Sequence, residues 1–345
     1  MRREHRQQNG HRRNIINGVI NIYKEKGYTS FHVVYQLRKL TGESKVGHTG
    51  TLDPDVTGVL PVCLGKATKL VGQLTDTDKI YRCRMRFGLK TDTQDLSGQV
   101  LQQMEEGKVR DLLGGTGEEA LRRVTEAAAA FTGEIWQIPP MYSALKVDGM
   151  KLVNAARRGV TVERKARKVT VHSISQIRVS EDLLHAEFTV HCSKGTYVRT
   201  LCEDLGEWLG IPACMEELER TQAAGLDLDS AITLQQAEQY AREGTLEDHL
   251  IPTDRFLTEH PSLTVRDEAV RKLIYGNVLE KQEFEDPPYL EQDRIYRVYD
   301  WAGEFYALYR YERRGNCLKC VKMFMDAESW KQERKESEDE DHSGF

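Results

Sequence analysis

The sequence predicts an α+β fold. Its helices and strands follow one another without strict alternation, so a mixed or antiparallel sheet is expected rather than a doubly wound one. Two segments carry most of that reading. Residues 79–88, "KIYRCRMRFG", alternate with period two and read as a strand, whereas 117–133, "GEEALRRVTEAAAAFTG", place Leu121, Val124, Ala128 and Phe131 on one helical stripe. A third observation is the end of the chain, where a helix over 267–276 precedes strands over 294–300, 304–312 and 318–324. That block reads as a small β-rich domain of its own. A chain of 345 residues is long enough for two domains. The expected division is a basic arm over 1–14, a main domain over 15–254, the β-rich domain over 255–328 and a charged tail over 329–345.

Taken in order, "GVINIY" (18–23) is a short strand. "TSFHVVYQLRKL" (29–40) is a helix with Thr29 or Ser30 as cap and Val33, Val34, Leu37 and Leu40 on one face. "VLPVCL" (59–64) is an apolar strand and "KATKLVGQL" (66–74) a helix. In the strand over 79–88, Tyr81, Cys83, Met85 and Phe87 share one face while Arg82, Arg84 and Arg86 share the other. A long loop is predicted for 134–152, which contains Pro139-Pro140. Strands over 168–179 and 183–192 follow, then a helix over 196–210.

No apolar run reaches the ~18 residues that a membrane span requires, and the basic start has no apolar segment after it, so neither a bilayer-crossing helix nor a secretory signal is expected. Seven scattered cysteines point to a reducing, cytoplasmic setting rather than a disulfide framework. Cys317 and Cys320 form a lone CxxC within an alternating segment and read as free thiols in a strand rather than a zinc site. A net charge of −5 does not by itself advertise nucleic-acid binding. The charge is uneven: residues 1–14 hold five arginines against one glutamate, and 331–345 hold six acids against three bases. Both ends read as solvated arms.

The chemistry-bearing stretch is "KVGHTGTLDPDVTGVLPVCLGKATKL", residues 45–70. A Walker loop is excluded, because Gly65-Lys66 is followed by Ala67 and the position five before Gly65 is Leu60. Asp53 and Asp55 lack the further oxygen donors of a hard-cation site, and His48 has no partner at metal-ligand spacing. A glycosidase pair needs two carboxylates held about 5–10 Å apart, and the intervening Pro54 tends to splay them. An ordinary polar turn fits the same residues. Local spacing leaves turn and active site both open.

Several segments together settle a resemblance. "GHTGTLDPDVTGVLPVCLGKATK" closely resembles the catalytic motif of the tRNA pseudouridine-55 synthases of the TruB type. "GVINIYKEKGYTSFHVVYQLR" is similar to that family's N-terminal segment, "KIYRCRMRFGLKTDTQDLSG" to its tyrosine-bearing strand and "QIPPMYSALKVDGMKL" to its RNA-clasping insertion (about 134–152). "CSKGTYVRTLCEDLG" resembles its Tyr/Arg motif and "LERTQAAG" the segment after it. The matches run in family order over roughly residues 16–225. The last block resembles a PUA-like RNA-binding domain, with weaker sequence support.

The resemblance implies isomerisation of uridine to pseudouridine at position 55 in the T-loop of tRNA, with the base flipped out of its stack. It implies Asp53 as the catalytic nucleophile, Tyr81 stacked on the base and Arg199 paired with the aspartate, keeping it ionised. Tyr197 and Leu218 are expected to line the uracil pocket, His48 to fill the space that the base leaves, and Lys24 to contribute to substrate binding. Without the resemblance, Tyr81 and Leu218 would read as core residues, Arg199 as a helix surface arginine and His48 as a solvated loop histidine. No metal and no small-molecule cofactor is implied; the partner is the T-arm of tRNA, and the chain is expected to act as a monomer away from membranes. Arg82, Arg84 and Arg86, or Lys146 and Lys151, could supply a basic face. The chain departs from the family at Glu25, at Val153 and Asn154, and at Glu219, which stands where an arginine is common and could weaken a phosphate contact. Rival readings are an RNA-guided synthase of the archaeal and eukaryotic type and a non-catalytic tRNA-folding factor.

Overall fold

The computed structural model describes residues 16–143, 145–147, 150, 151, 162–285 and 289–325. The basic arm, the charged tail, Val153 and Asn154 lie outside the described residues, as do the side chains of Lys146 and Lys151.

β1 (Gly18–Lys24) is almost wholly buried. β3 pairs with one of its edges, and Ile232 and Ile251 bridge to it. α1 (Ser30–Thr41) starts where expected: the Thr29 side chain accepts a hydrogen bond from the His32 amide, and Gly42 closes the helix in the left-handed region. Val33, Val34 and Leu37 face the core. β2 (Val46–His48) and β3 (Thr57–Leu64) pair antiparallel and leave the acid-bearing loop, residues 49–56, between them. The helix expected over 66–74 is instead a 3-10 stretch, Gly65–Leu70, followed by the short α2 (Val71–Thr75). Asn17 Oδ1 accepts from the Ala67 amide and Thr68 Oγ1 donates to the Gly65 carbonyl, so local side-chain bonds hold the tighter turn.

β4 (Lys79–Phe87) has the predicted two faces, with Cys83, Met85 and Phe87 in the core. β5 (Leu89–Thr91) and β6 (Val100–Gln103) form a small hairpin, and α3 (Glu106–Leu112) and α4 (Gly117–Ala130) follow. The stripe that α4 buries is Ala120, Val124, Ala127 and Ala128, and Leu121 is exposed. The alanines let the helix lie close over the sheet, which shifts its contact line by one residue from the bulkier stripe expected.

The predicted loop over 134–152 opens as a strand, β7 (Gly133–Gln137), whose alternation places Trp136 in solvent. The loop signal of Pro139-Pro140 applies only after it. β8 (Lys146–Val147) and β9 (Met150–Lys151) pair with each other. β10 (Arg167–Val179) and β11 (His185–Cys192) form an antiparallel pair, and α5 (Val198–Leu209) packs behind. β12 (Ala213–Ala223) lies at the centre of the sheet, between β3 and β4, and β13 (Leu226–Asp227) folds back on it. The main sheet has nine strands in the order β1-β3-β12-β4-β11-β10-β7, with β2 on β3 and β13 on β12. The β3–β12 pair is parallel and the rest are antiparallel. Helices α1, α4 and α5 cover one face around Val34, Leu37, Val124, Leu201 and Leu205.

After α6 (Leu234–Glu243) come β14 (Ser262–Thr264), α7 (Asp267–Ile274), β15 (Leu279–Glu280), β16 (Ile295–Tyr299), β17 (Phe305–Glu312) and β18 (Cys317–Met323). These five strands form a separate sheet with its own core around Val270, Leu273, Val298 and Tyr309. Leu308 and Phe324 of this block pack against Val59, Cys63 and Leu70 of the first. Cys317 and Cys320 stand as free thiols on β18. Among the described residues no helix is long and apolar enough to cross a membrane.

Gly58 is the tightest point of the parallel contact. It has φ +106° and pairs with Lys24 on one side and Arg220 on the other, and a Cβ there would stand 2.2 Å from the Arg220 carbonyl oxygen. Gly58→Ala should therefore cost more than about 2 kcal/mol. That corresponds to a fall in Tm of roughly 4 °C or more in thermal unfolding; an unchanged Tm would show that β3 and β12 are not held as described.

Candidate active site

The loop carrying Asp53 is pinned from behind by the start of α1 and the end of β1. Ser30 Oγ accepts from the Leu52 amide at 2.8 Å and donates to the Leu52 carbonyl at 3.2 Å. Lys24 Nζ donates to the carbonyls of Tyr28, Glu25 and Pro54 at 2.7, 3.0 and 3.1 Å. Lys24 is 0% exposed, and burial lowers its ammonium to about 8. The sequence placed Lys24 among the substrate-binding residues. Here its donors are spent on main-chain carbonyls, and it supports the loop from beneath rather than reaching the cleft.

Opposite the loop stands the first turn of α5. Arg199 is 6% exposed and directs Nη2 to Asp53 Oδ2 at 2.9 Å. The same guanidinium donates to the Tyr142 carbonyl at 2.9 Å and the Thr93 carbonyl at 3.1 Å, with Asp95 Oδ2 at 3.4 Å. One buried cation thus ties together the acid loop, the segment after β5 and the segment after β7. Asp53 sits in the crowded cleft floor with its side chain still 45% accessible. Its carboxyl is raised above the ordinary aspartate value: desolvation pushes it up, Arg199 pulls it down and Asp95 adds to the rise. Arg199 thus favours the ionised carboxylate while burial and Asp95 oppose it.

Tyr81, Tyr197 and Leu218 line the same cleft as Asp53 and Arg199, with a volume of about 520 Å³. Tyr197 lies just before α5, and the Gln137 amide clamps its backbone, accepting from the Tyr197 amide at 3.0 Å and donating to its carbonyl at 3.3 Å. Tyr81 ends the apolar row of β4, so it is both the edge of the core and a wall of the cleft. Its phenol is raised by burial, which the Arg220 charge partly offsets. His48, on β2, is not among the cleft walls; it lies just before the acid loop, and its Nδ1 accepts from the Gly50 amide at 3.3 Å. Burial and the nearby Arg220 lower its pKa, which favours the neutral ring.

Three site residues were not found from sequence. Arg220 is 1% exposed, donates to the Val59 carbonyl at 2.7 Å and the Gly50 carbonyl at 3.2 Å, and lines the cleft beside Tyr81. Asp95 is the second carboxylate on Arg199. Lys79 is 6% exposed in the cleft wall, donates to the Thr75 carbonyl at 2.6 Å and is lowered by burial to about 8. The available signal was Arg220, two positions after Leu218 on a strand, which puts both on one side of the sheet.

The arginine face of β4 has a different role from the one expected. Arg82 pairs with Glu219 at 3.1 Å, Arg84 with Glu216 at 2.8 Å and Glu187 at 3.4 Å, and Arg86 Nη1 lies 3.1 Å from His185 Nε2. These are contacts to the neighbouring strands β11 and β12. Glu219, where an arginine was expected, also accepts from the Tyr23 hydroxyl at 3.1 Å. Its substitution therefore completes a cross-strand ion pair on the face away from the cleft.

Comparison with known proteins matches residues 38–198 to "TruB family pseudouridylate synthase (N terminal domain)" and residues 199–258 to "tRNA pseudouridylate synthase B C-terminal domain". A tRNA pseudouridine synthase B of Lachnoclostridium phytofermentans is 43% identical over 319 residues, covering 90% of this chain and 100% of that one. Its counterpart from Bacillus pumilus is 40% identical over 90% of this chain and 98% of its own. Among solved structures, a Cbf5-Nop10-Gar1 complex matches at 25% identity and TM-score 0.61, over 92% of this chain and 88% of that one. An H/ACA RNP bound to a substrate RNA matches at 23% and 0.61, over 92% and 87%, a likeness of fold.

The charges around Asp53 fix how its titration responds to substitution. By carboxyl-carbon NMR, Asp53 should titrate above the ~3.9 of an unperturbed aspartate. Removing the favourable cation in Arg199→Met should move it further up, and removing the like charge in Asp95→Asn should move it down. An Asp53 titration unmoved by either substitution would contradict the arrangement.

Proposed function

Because the chain belongs to the TruB family of pseudouridylate synthases, it is an enzyme that isomerises uridine to pseudouridine in tRNA, and we propose that its target is uridine 55 of the T-loop, with Asp53 as the catalytic carboxylate. The observation that carries this reading is the 2.9 Å Asp53–Arg199 pair on the floor of a cleft that Tyr81 also lines.

Isomerisation requires the N1–C1′ bond of the uridine to break, the base to turn, and a C5–C1′ bond to form. C5 then gives up its proton, N1 takes one, and the product has the composition of the substrate. A stacked base in a folded loop is out of reach, so the nucleotide is flipped into the cleft at a cost of a few kcal/mol. Asp53 supplies the carboxylate that acts as nucleophile, the covalent-catalysis use of an aspartate. Arg199 orients it through a charge-assisted bond while spending its other donors on the Thr93 and Tyr142 carbonyls. Tyr81 presents its ring to the base, with Arg220 beside it in the cleft wall. Tyr197 and Leu218 complete the apolar walls. The insertion over about 134–152, which begins in β7, and the β-rich C-terminal domain are the parts of the chain proposed to grip the T-arm.

The test uses a tRNA transcript tritiated at uridine C5, since forming the C5–C1′ bond must release that label. Wild-type protein should release one label per tRNA, mapped to position 55. Asp53→Asn should release none while binding tRNA within about threefold of wild type, because the carboxylate's loss removes a chemical step rather than a phosphate contact. Wild-type protein that binds tRNA but releases no label would overturn the assignment. Release from the purified chain on a bare transcript separates this reading from a guide-dependent one. Loss of pseudouridine in cells carrying Asp53→Asn separates it from a purely tRNA-folding role.

A further inference from the structure

Away from Asp53, on the outward side of three adjacent strands, Asp78, His172 and His191 converge on one point. His172 Nε2 lies 3.1 Å and His191 Nε2 3.8 Å from the same Asp78 oxygen, Oδ2, and the two imidazole rings are 4.6 Å apart at 44°. All three donor atoms fall within 4.8 Å of one another, the one such grouping among the described residues. The backbone explains the convergence. β10 carries an irregularity between the Val171–Cys192 and Ser173–His191 pairs, and the extra residue is His172. A bulge of this kind re-aims a side chain, here bringing His172 beside His191. His191 is opposite Ile80 in β4, and Asp78 immediately precedes that strand.

A fold-stabilising ion pair is a weak account of these groups. The side chains are 37%, 40% and 48% accessible for His172, His191 and Asp78, and exposed pairs of this kind contribute about 0–1 kcal/mol. Two imidazolium rings this close would also repel each other. Two neutral imidazoles and one carboxylate sharing a focus suit a dication instead. For a cation about 2.0–2.1 Å from each donor in tetrahedral geometry, donors stand about 3.3 Å apart. The two separations to Oδ2 bracket that value, and the third lies within 4.8 Å, so side-chain rotation about the Asp78 carboxylate can close the set.

We propose that Asp78, His172 and His191 form a surface site for a divalent cation of the zinc class. Two nitrogen donors and one carboxylate favour zinc, copper or nickel over magnesium or calcium, which take oxygen sets. Three protein ligands leave a fourth position to solvent. Sequence spacing could not reveal the site, because its ligands come from separate segments and converge only when β4, β10 and β11 pair.

The experiment is calorimetric titration of the metal-free full chain with zinc chloride, repeated with cobalt(II) to read ligand-field absorption. The chain's ten histidines and seven cysteines can add background binding, so each readout is a difference from a variant. Wild type should bind one equivalent that the double variant His172→Ala/His191→Ala lacks, and Asp78→Asn should weaken that equivalent at least about tenfold. Circular dichroism and metal-free melting should match wild type in all variants; if the double variant melts early, Asp78→Asn carries the comparison. Identical zinc titrations for wild type and the folded variants would overturn the proposal. So would a histidine–aspartate pair that titrates by NMR without any change on adding zinc. Neither readout depends on isomerase activity.

Discussion

The guanidinium of Arg199 is the constraint around which the catalytic half of the molecule is arranged. Burying a cation costs several kcal/mol unless its donors are satisfied and an anion sits close by. Arg199 meets both conditions by spreading its donors over Asp53, Asp95 and the carbonyls of Thr93 and Tyr142. These partners come from three segments: the acid loop, the stretch after β5 that holds Thr93 and Asp95, and the stretch after β7 that holds Tyr142. The acid loop holds Gly50 and Pro54, and the stretch after β5 is a series of polar turns. Arg199 joins these segments to α5, alongside the bridge between Asp95 and Met215 and the Thr200–Gln94 hydrogen bond.

Two further supports divide the work on the loop itself. Ser30 holds Leu52 from the first residue of α1, and Lys24 gathers three carbonyls at the end of β1. Asp53 is thus positioned through the neighbouring backbone as well as through its carboxylate. That leaves the carboxylate with one strong ionic partner on Oδ2 and a side chain still partly open to the cleft. A carboxylate locked by several donors would be a poor nucleophile, so support from behind the loop is compatible with reactivity in front.

The α+β class, the strand with two faces, the Thr29 cap and the separate C-terminal sheet were legible because each rests on a local period or a local hydrogen bond. Asp53, Tyr81, Tyr197, Arg199 and Leu218 were legible only through the ordered motifs, and the structure brings all five to one cleft. What stayed hidden depends on non-local contact. β12 is the central strand, yet two register shifts break its alternation, and its run of glutamates resembles a helix surface. Two of those glutamates, Glu216 and Glu219, pair with the arginines of β4 beside them. Neither row is interpretable alone: apart they suggest an RNA-binding face and a missing phosphate contact, together they are a cross-strand ladder. The setting of Lys24 stayed hidden for the same reason, because nothing in its neighbourhood of sequence reports that the Pro54 carbonyl will reach its ammonium.

An acidic chain that handles a polyanion presents an apparent contradiction, and the placement of the buried cations resolves it. Net charge is −5, but Lys24, Lys79, Arg199 and Arg220 are each less than 10% exposed and lie in or behind the cleft, against Asp53 and Asp95. Charge in a low-dielectric wall is screened less than charge on a solvated surface, so net charge alone does not set the local field at the cleft. The cost appears in their titration. Desolvation brings Lys24 and Lys79 to about 8 and lowers Arg220 as well. A lysine with its proton equilibrium near 8 remains mostly cationic at neutral pH. Both are thus held close to the limit at which burial would extinguish the charge that makes them useful. Total composition records none of this, because it weights a buried lysine and a solvated glutamate alike. What matters to a nucleic acid is where the low-dielectric wall places its cations.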